Sequence, residues 1–198
     1  MRMPSIITVS GPMGSGKSSY LIDFIEEVQC RYVYTPILDS DTCNDHISKM
    51  QTSNIHSRDG RRRITKGVTT IRDILNDVTA NNLRDTIVVV DEVQFLEDYK
   101  EVVNLVKYCK NNQITLVFGG LDLTSECELF LTTSMCMSMS DIVVKLRGVC
   151  ATCEGESLVS KFIGDEHQAS QHTTNNTSKT TKIKVGQELY IGTCLNCH

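Results

Sequence analysis

Apolar residues recur along this chain with two rhythms. In "KSSYLIDFIEEVQ", Leu21, Phe24, Ile25 and Val28 fall at i, i+3, i+4 and i+7, and in "TTIRDILNDVTANN" Ile71, Ile74, Leu75 and Val78 repeat the spacing. Each set marks one face of a helix, and the asparagines at 81–82 supply a stop. "FLEDYKEVVNLVKYCKNN" reads as a third helix, with Leu96, Tyr99, Val103, Val106 and Lys110 along its sides, and "SECELFLTTS" as a fourth. Between them lie short apolar runs, "SIITVSG", "RYVYTPIL", "TIVVVDE", "ITLVFGG" and "DIVVKL". Continuous apolar strands of this kind are covered on both faces of a parallel sheet. Strands alternating with helices predict an α/β fold with a mainly parallel sheet. The polar, basic stretch from Asp39 to Lys66, with "RDGRRR" in it, reads as a loop or an exposed hairpin.

The pattern changes at Gly148. Helical periodicity stops, and "QASQHTTNNTSKTT" is polar and rich in Thr, Asn and Ser, which reads as a loop. A boundary near Arg147 divides the chain into 1–147 and a smaller part, 148–198. No internal repeat is visible.

The chain has 198 residues, 40% of them apolar and 22% charged, with a net charge of −4. These values suit a soluble globular protein with a core that needs no disulfides. An acidic balance argues against a protein whose main work is gripping nucleic acid. No apolar run approaches the ~20 residues of a membrane span. The opening "MRMPSIITVS" lacks a signal-peptide pattern and reads as a buried strand, so the expected location is the cytoplasm.

Two segments carry phosphate chemistry. Gly11, Gly16, Lys17 and Ser18 satisfy G-x-x-x-x-G-K-[ST], with Pro12, Met13, Gly14 and Ser15 between the glycines. The motif follows an apolar strand and opens an amphipathic helix, the context such a P-loop requires. Backbone N–H groups would surround phosphate oxygens, and the helix N-terminus adds positive potential. Lys17 would reach the terminal phosphates and Ser18 would meet Mg²⁺. The bound molecule is then a nucleoside triphosphate such as ATP, whose γ-phosphate goes either to water or to a second substrate. Asp91 and Glu92 end the strand "VVVDE", at the sheet edge where ligands of open α/β sheets bind. Asp91 takes the position of the Mg²⁺-holding acid. Alternation along the strand would turn Glu92 toward an incoming nucleophile.

Of nine cysteines, four form the pairs Cys150/Cys153 and Cys194/Cys197; Cys30, Cys43, Cys109, Cys127 and Cys136 are scattered. Two C-x-x-C turns bracketing a long segment are a Cys₄ zinc signature, and a closed shell of sulfurs makes that Zn²⁺ structural. His198 is an alternative ligand, but four cysteines suffice. A redox C-x-x-C is the weaker reading, because neither pair begins a helix after a strand.

In their order, the P-loop "GPMGSGKS", the run "DEVQF", "GLD", "KLRGVCATC" and a Tyr four residues before the closing C-x-x-C resemble the thymidine kinases of vertebrate cytosol, many bacteria and large DNA viruses. The resemblance implies a RecA-like P-loop domain and a small zinc domain whose lasso loop covers the base. It also implies ATP- and Mg²⁺-dependent phosphorylation of the deoxythymidine 5′-hydroxyl by a homo-tetramer inhibited by dTTP. By position, Glu92 would orient the hydroxyl. Gln94, Phe95 and Phe130 would line the nucleoside pocket, and Val185, Gly186 and Tyr190 would belong to the lasso. Asp41 and Thr42 match a D-T pair beside the phosphates. The chain departs from the pattern with Cys43 and Phe162 where arginines stand, Ser125 where a phenylalanine is common, one lasso glycine instead of two, and a longer insert between the cysteine pairs. Arg58 and Arg61, Arg62 and Arg63 are candidate replacements for the lost arginines. Two further readings remain: a nucleic-acid-dependent P-loop ATPase with a zinc ribbon, and a degenerate kinase kept for binding or assembly, or with altered nucleoside preference.

Overall fold

The structure, a computed structural model, describes residues 5–37, 52–57, 60–164, 170–174, 181–185 and 189–198. Its centre is a seven-stranded sheet. The strands are β1 (Ile6–Ser10), β2 (Tyr32–Pro36), β3 (Thr52–His56), β4 (Arg62–Val68), β5 (Ile87–Val90), β6 (Thr115–Gly120) and β7 (Ile142–Lys145), in the order β3-β4-β2-β5-β6-β1-β7. All neighbours are parallel except β3, which pairs antiparallel with β4. The expected α/β class and mainly parallel sheet are therefore present.

Helices cover both faces. Helix α1 (Lys17–Glu27) packs Leu21, Ile22 and Ile25 against Val9, Val33, Val89 and Val117. On the other face, α2 (Ile71–Ala80), α3 (Val102–Asn111) and α4 (Leu131–Met139) pack against Tyr34, Val88, Val90, Leu116 and Phe118. Alternate residues of β5 and β6 thus enter different cores, which is why their sequences are apolar without a break. Burying one such valine or phenylalanine contributes about 1.5–3 kcal/mol. Helix α2 starts at a capping box in which the Thr70 side chain accepts the Asp73 N–H and Asp73 accepts the Thr70 N–H.

Four expectations need correction. Helix α3 begins at Val102, not near Phe95, after two 3-10 turns at Val93–Phe95 and Tyr99–Glu101. The Glu97 backbone is engaged by Thr69 and Ile71, and Asp98 turns left-handed at φ 62°, so no helix can run through them. The buried face of α3 is Val102, Leu105, Val106 and Cys109. Helix α4 begins at Leu131 rather than at Ser125, because Leu123 and Leu129 bridge and the Thr124 hydroxyl accepts the N–H groups of Glu126 and Glu128. The basic stretch before Lys66 is the β3–β4 hairpin, and it is not simply exposed: Ile55 is buried and β4 continues into the sheet beside β2.

After β7 the strands shorten: β8 (Gly148–Val149) pairs with β9 (Glu156–Ser157), and β10 (Val159–Phe162) with β13 (Tyr190–Thr193). The polar insert, expected as loop, contains the antiparallel pair β11 (Ser170–Thr174) and β12 (Thr181–Val185). Its β-branched threonines suit paired strands. Among the described residues, neither apolar core extends past Leu146.

Candidate functional site

Strand β1 delivers the chain to the carboxyl edge of the sheet, where residues 11–16 turn into α1. Gly16 caps the helix at φ 86°, a left-handed conformation that costs glycine little. The first N–H groups of α1 have no carbonyl one turn back, so an anion can occupy that end. Lys17 is buried, and its Nζ donates to the carbonyl oxygens of Gly11 at 2.9 Å and Pro12 at 3.0 Å. Its charge is thereby held against the loop. Pro12 is buried, Met13, Ser15 and Ser18 are half-buried, and Gly14 is exposed.

Two strands away, β5 ends at Val90, and the acid pair follows. Asp91 is buried, and its Oδ1 accepts the Glu92 N–H at 2.8 Å. Burial, then the neighbouring Glu92 charge, raise its carboxyl well above the ordinary range, to about 7, against the opposing pull of the Glu92 N–H and Lys17. The opposing pull of the Lys17 charge couples this acid to the glycine-rich loop. Glu92 has φ 51°. Left-handed backbone at a residue with a Cβ costs of order 1 kcal/mol and persists where its surroundings over-determine it. The divergence of the two acids therefore comes from this turn rather than from strand alternation.

Gln94 supplies that determination. It is fully buried; its Nε2 donates to Glu92 Oε2, and its Oε1 accepts the Leu121 N–H at 3.0 Å. The amide ties the acidic turn to the end of β6. A Cβ at Gly120 would stand 2.7 Å from Gln94 Oε1, so the glycine pair ending β6 makes room for the tie. Sequence reading missed this positioning role and Gly120; the signal was a Gln two residues after the acid and a strand ending in two glycines. It also missed the ion pair of Lys145, the last residue of β7, with buried Asp122 at 2.6 Å on the same edge.

The aromatic candidates fall in two places. Phe95 is half-buried in the turn after Glu92; Phe130 is buried at the start of α4, its N–H donated to the Asp122 carbonyl. Tyr190 lies on β13, its ring edge-on to Phe162 with centroids 5.2 Å apart. Burial, then Glu126, push its hydroxyl up to about 12, against a hydrogen bond with the Ser125 side chain. Ser125 and Phe162, both departures from the family pattern, thus meet at Tyr190. Val185 ends β12 opposite Ser170. Gly186, Asp41, Thr42, Cys43 and Arg58 lie outside the described residues. The arginine run is engaged elsewhere: Arg61 pairs with Asp23 on α1, Arg62 bonds Asn54, and Arg63 bonds the Cys30 carbonyl.

The two cysteine pairs converge. The sulfurs of Cys150, Cys153, Cys194 and Cys197 all lie within 4.8 Å of one another, and those of Cys153 and Cys194 are 3.7 Å apart. Zn–S bonds of about 2.3 Å in a tetrahedron separate sulfurs by roughly 3.8 Å, so the cluster fits Zn²⁺. Backbone N–H groups of Cys194, Cys153 and Thr152 hold the Cys150 thiol down at about 6, favouring the thiolate that binds metal. His198 turns away from the cluster: its Nε2 lies 2.6 Å from the Ser125 carbonyl oxygen and its Nδ1 3.4 Å from Thr193 Oγ1.

The sequence profile of the family described as "Thymidine kinase" matches residues 4–198. Among curated relatives, "Thymidine kinase" of Pseudothermotoga lettingae is 27% identical over 198 residues, covering 96% of this chain and 92% of the relative. "Thymidine kinase" of Raccoon poxvirus is 26% identical, covering 96% and 94%, and that of Mycoplasma mobile is 29% identical, covering 98% and 86%. Because the profile runs through the sheet, the acidic turn and the cysteine cluster alike, this chain belongs to the thymidine kinase family.

Proposed function

We propose that this protein is a thymidine kinase that transfers the γ-phosphate of ATP to the 5′-hydroxyl of deoxythymidine, giving dTMP. The observation that carries the reading is the Glu92 carboxylate, fixed by Gln94 at the sheet edge from which the glycine-rich loop opens. In this reading the loop 11–18 is a P-loop. Its N–H groups and Lys17 bind the phosphates of ATP and spread their charge. Ser18 and Asp91 are hard oxygen donors and would hold Mg²⁺, whose chemistry is to neutralise the phosphate oxygens. Gln94 occupies Glu92 Oε2, and Oε1 is the atom we assign to the 5′-hydroxyl. Phosphoryl transfer is loose, so orientation of that hydroxyl contributes more than proton removal. Phe95, Phe130, Gln94, Val185, Gly186 and Tyr190 enclose the nucleoside, Gln94 through its hold on Glu92. Residues 1–147 form the nucleotide domain and 148–198 the zinc domain. By kinship we carry over a cytoplasmic homo-tetramer.

The test incubates purified protein with ATP and Mg²⁺ and, separately, thymidine, deoxyuridine and deoxycytidine, with products separated by chromatography. dTMP as the main product supports the proposal. ATP consumption stimulated by DNA rather than by nucleoside, or no monophosphate from any of the three, rejects it.

A further inference from the structure

The glycine-rich loop is not supported by the sheet alone. Met13 N–H donates to Ser160 Oγ at 2.9 Å, across 147 residues of sequence. Ser160 is 3% exposed and sits on β10, paired with Gly192 of β13. A Cβ at Gly192 would stand 2.8 Å from the Met13 carbonyl oxygen and 2.9 Å from Ser157 Oγ. The β10–β13 pair therefore meets both backbone polar groups of Met13: a hydroxyl takes the N–H, and a bare Cα admits the C=O. Strand β13 runs directly into the second cysteine turn, with Thr193 next to Cys194, and meets the first through the Ala151 N–H, donated to the Gly192 carbonyl at 3.0 Å.

From this geometry we infer that Ser160 is a positioning residue for the nucleotide, acting through Met13. Resting on the reading of loop 11–18 as the phosphate cradle, the brace has a definite consequence. A glycine-rich loop must lose conformational freedom when it closes on phosphates. Holding Met13 beforehand removes part of that cost, so the cradle is set before the anion arrives. It also commits the Met13 N–H to Ser160, as the Pro12 carbonyl commits the Ser15 N–H at 3.2 Å, so the anion is to be met by other N–H groups of the loop and of the first turn of α1. The four-cysteine region thereby acts on the nucleotide as well as on any lid over the nucleoside.

The experiment measures ADP binding by calorimetry, with Mg²⁺ and no nucleoside, for the full-length protein and for Ser160→Ala, Ser160→Thr and Gly192→Ala. A single buried hydrogen bond predicts about five- to tenfold weaker ADP binding for Ser160→Ala. Ser160→Thr, which restores the hydroxyl, should recover most of it, and Gly192→Ala should weaken binding at least as much as Ser160→Ala. Hydrogen exchange of the peptide containing Met13 should be faster in Ser160→Ala without nucleotide while peptides of β5 and β6 exchange as in the wild type, which separates loss of the brace from partial unfolding. Wild-type-like ADP affinity and unchanged Met13 exchange in Ser160→Ala overturn the inference while leaving the kinase reading intact. Failure of the wild-type protein to bind ADP would instead remove the phosphate-cradle reading itself.

Discussion

The two ends of this molecule hold their chemistry in place by different means. At the sheet edge, Asp91, Glu92 and Lys17 stand on a frame of apolar strands packed on both faces, and an amide, Gln94, makes the last adjustment. In the C-terminal region the strands are two to four residues long outside the β11–β12 pair, and few apolar side chains are buried among the described residues, Val159 and Cys150 being two of them. There four sulfurs do what a core does elsewhere. Oily packing positions a site cheaply when enough chain is available. A stretch of about fifty residues has too little apolar surface for that, and four converging cysteines would supply the missing rigidity by holding a metal.

Substitutions in the two regions should therefore fail differently. The largest effect is expected at Glu92. Glu92→Gln should lower kcat by about 10²- to 10⁴-fold with ADP affinity and thermal stability near wild type, checked by steady-state kinetics beside calorimetry. Unchanged turnover would mean that the fixed carboxylate is not the group that meets the hydroxyl. Next comes the cysteine cluster. Cys194→Ser should abolish stoichiometric zinc, measured by elemental analysis, and reduce activity at least tenfold. Limited proteolysis should then cut beyond residue 147 while the sheet survives. Collapse of the sheet along with it would erase the contrast drawn above. The smallest effect belongs to the sheet itself. Tyr34, buried under α2, donates to Asp77 Oδ2 at 2.7 Å. Burial opposes the Asp77 charge, but bonds from Lys66, Tyr34 and Asn81 outweigh it and hold the carboxyl below its ordinary value of 3.8. A depressed folded pKa stabilises the protein above the unfolded value, and the benefit fades as pH falls through the folded one. Tyr34→Phe should thus cost about 1–2 kcal/mol at pH 7 and progressively less below about pH 4, read from denaturant melts across that range, with activity unaltered.

Much of this was legible in the residues. Continuous valines in β5 and the helical spacing at Ile71, Ile74 and Val78 require the packing that the structure has. The G-x-x-x-x-G-K-S run is constrained locally by the turn into α1, and the paired cysteines by the convergence of their four sulfurs, so their spacing is informative by itself. What escaped depends on contacts between distant residues. Nothing near Gln94 shows that Leu121 will anchor it. Nothing near Ser160 points to Met13. Phe95–Glu101 has helical composition and so predicts an earlier start for α3, but the Glu97 backbone is claimed by Thr69 and Ile71 from another part of the chain. The β11–β12 pair was hidden because polar β-branched strands lack the apolar alternation that marks a half-buried one.

The long reach between Met13 and Ser160 bears on how the protein is made. Every strand of the large sheet precedes residue 146, so a chain emerging from the ribosome can assemble that sheet while residues 160 and 190–193 are still unmade. Such a nascent chain has a glycine-rich loop braced by the sheet and α1 but lacking the Met13–Ser160 bond. On the proposed reading, nucleotide would then meet a looser loop until synthesis is nearly finished, and a truncated product could look folded yet bind it more weakly.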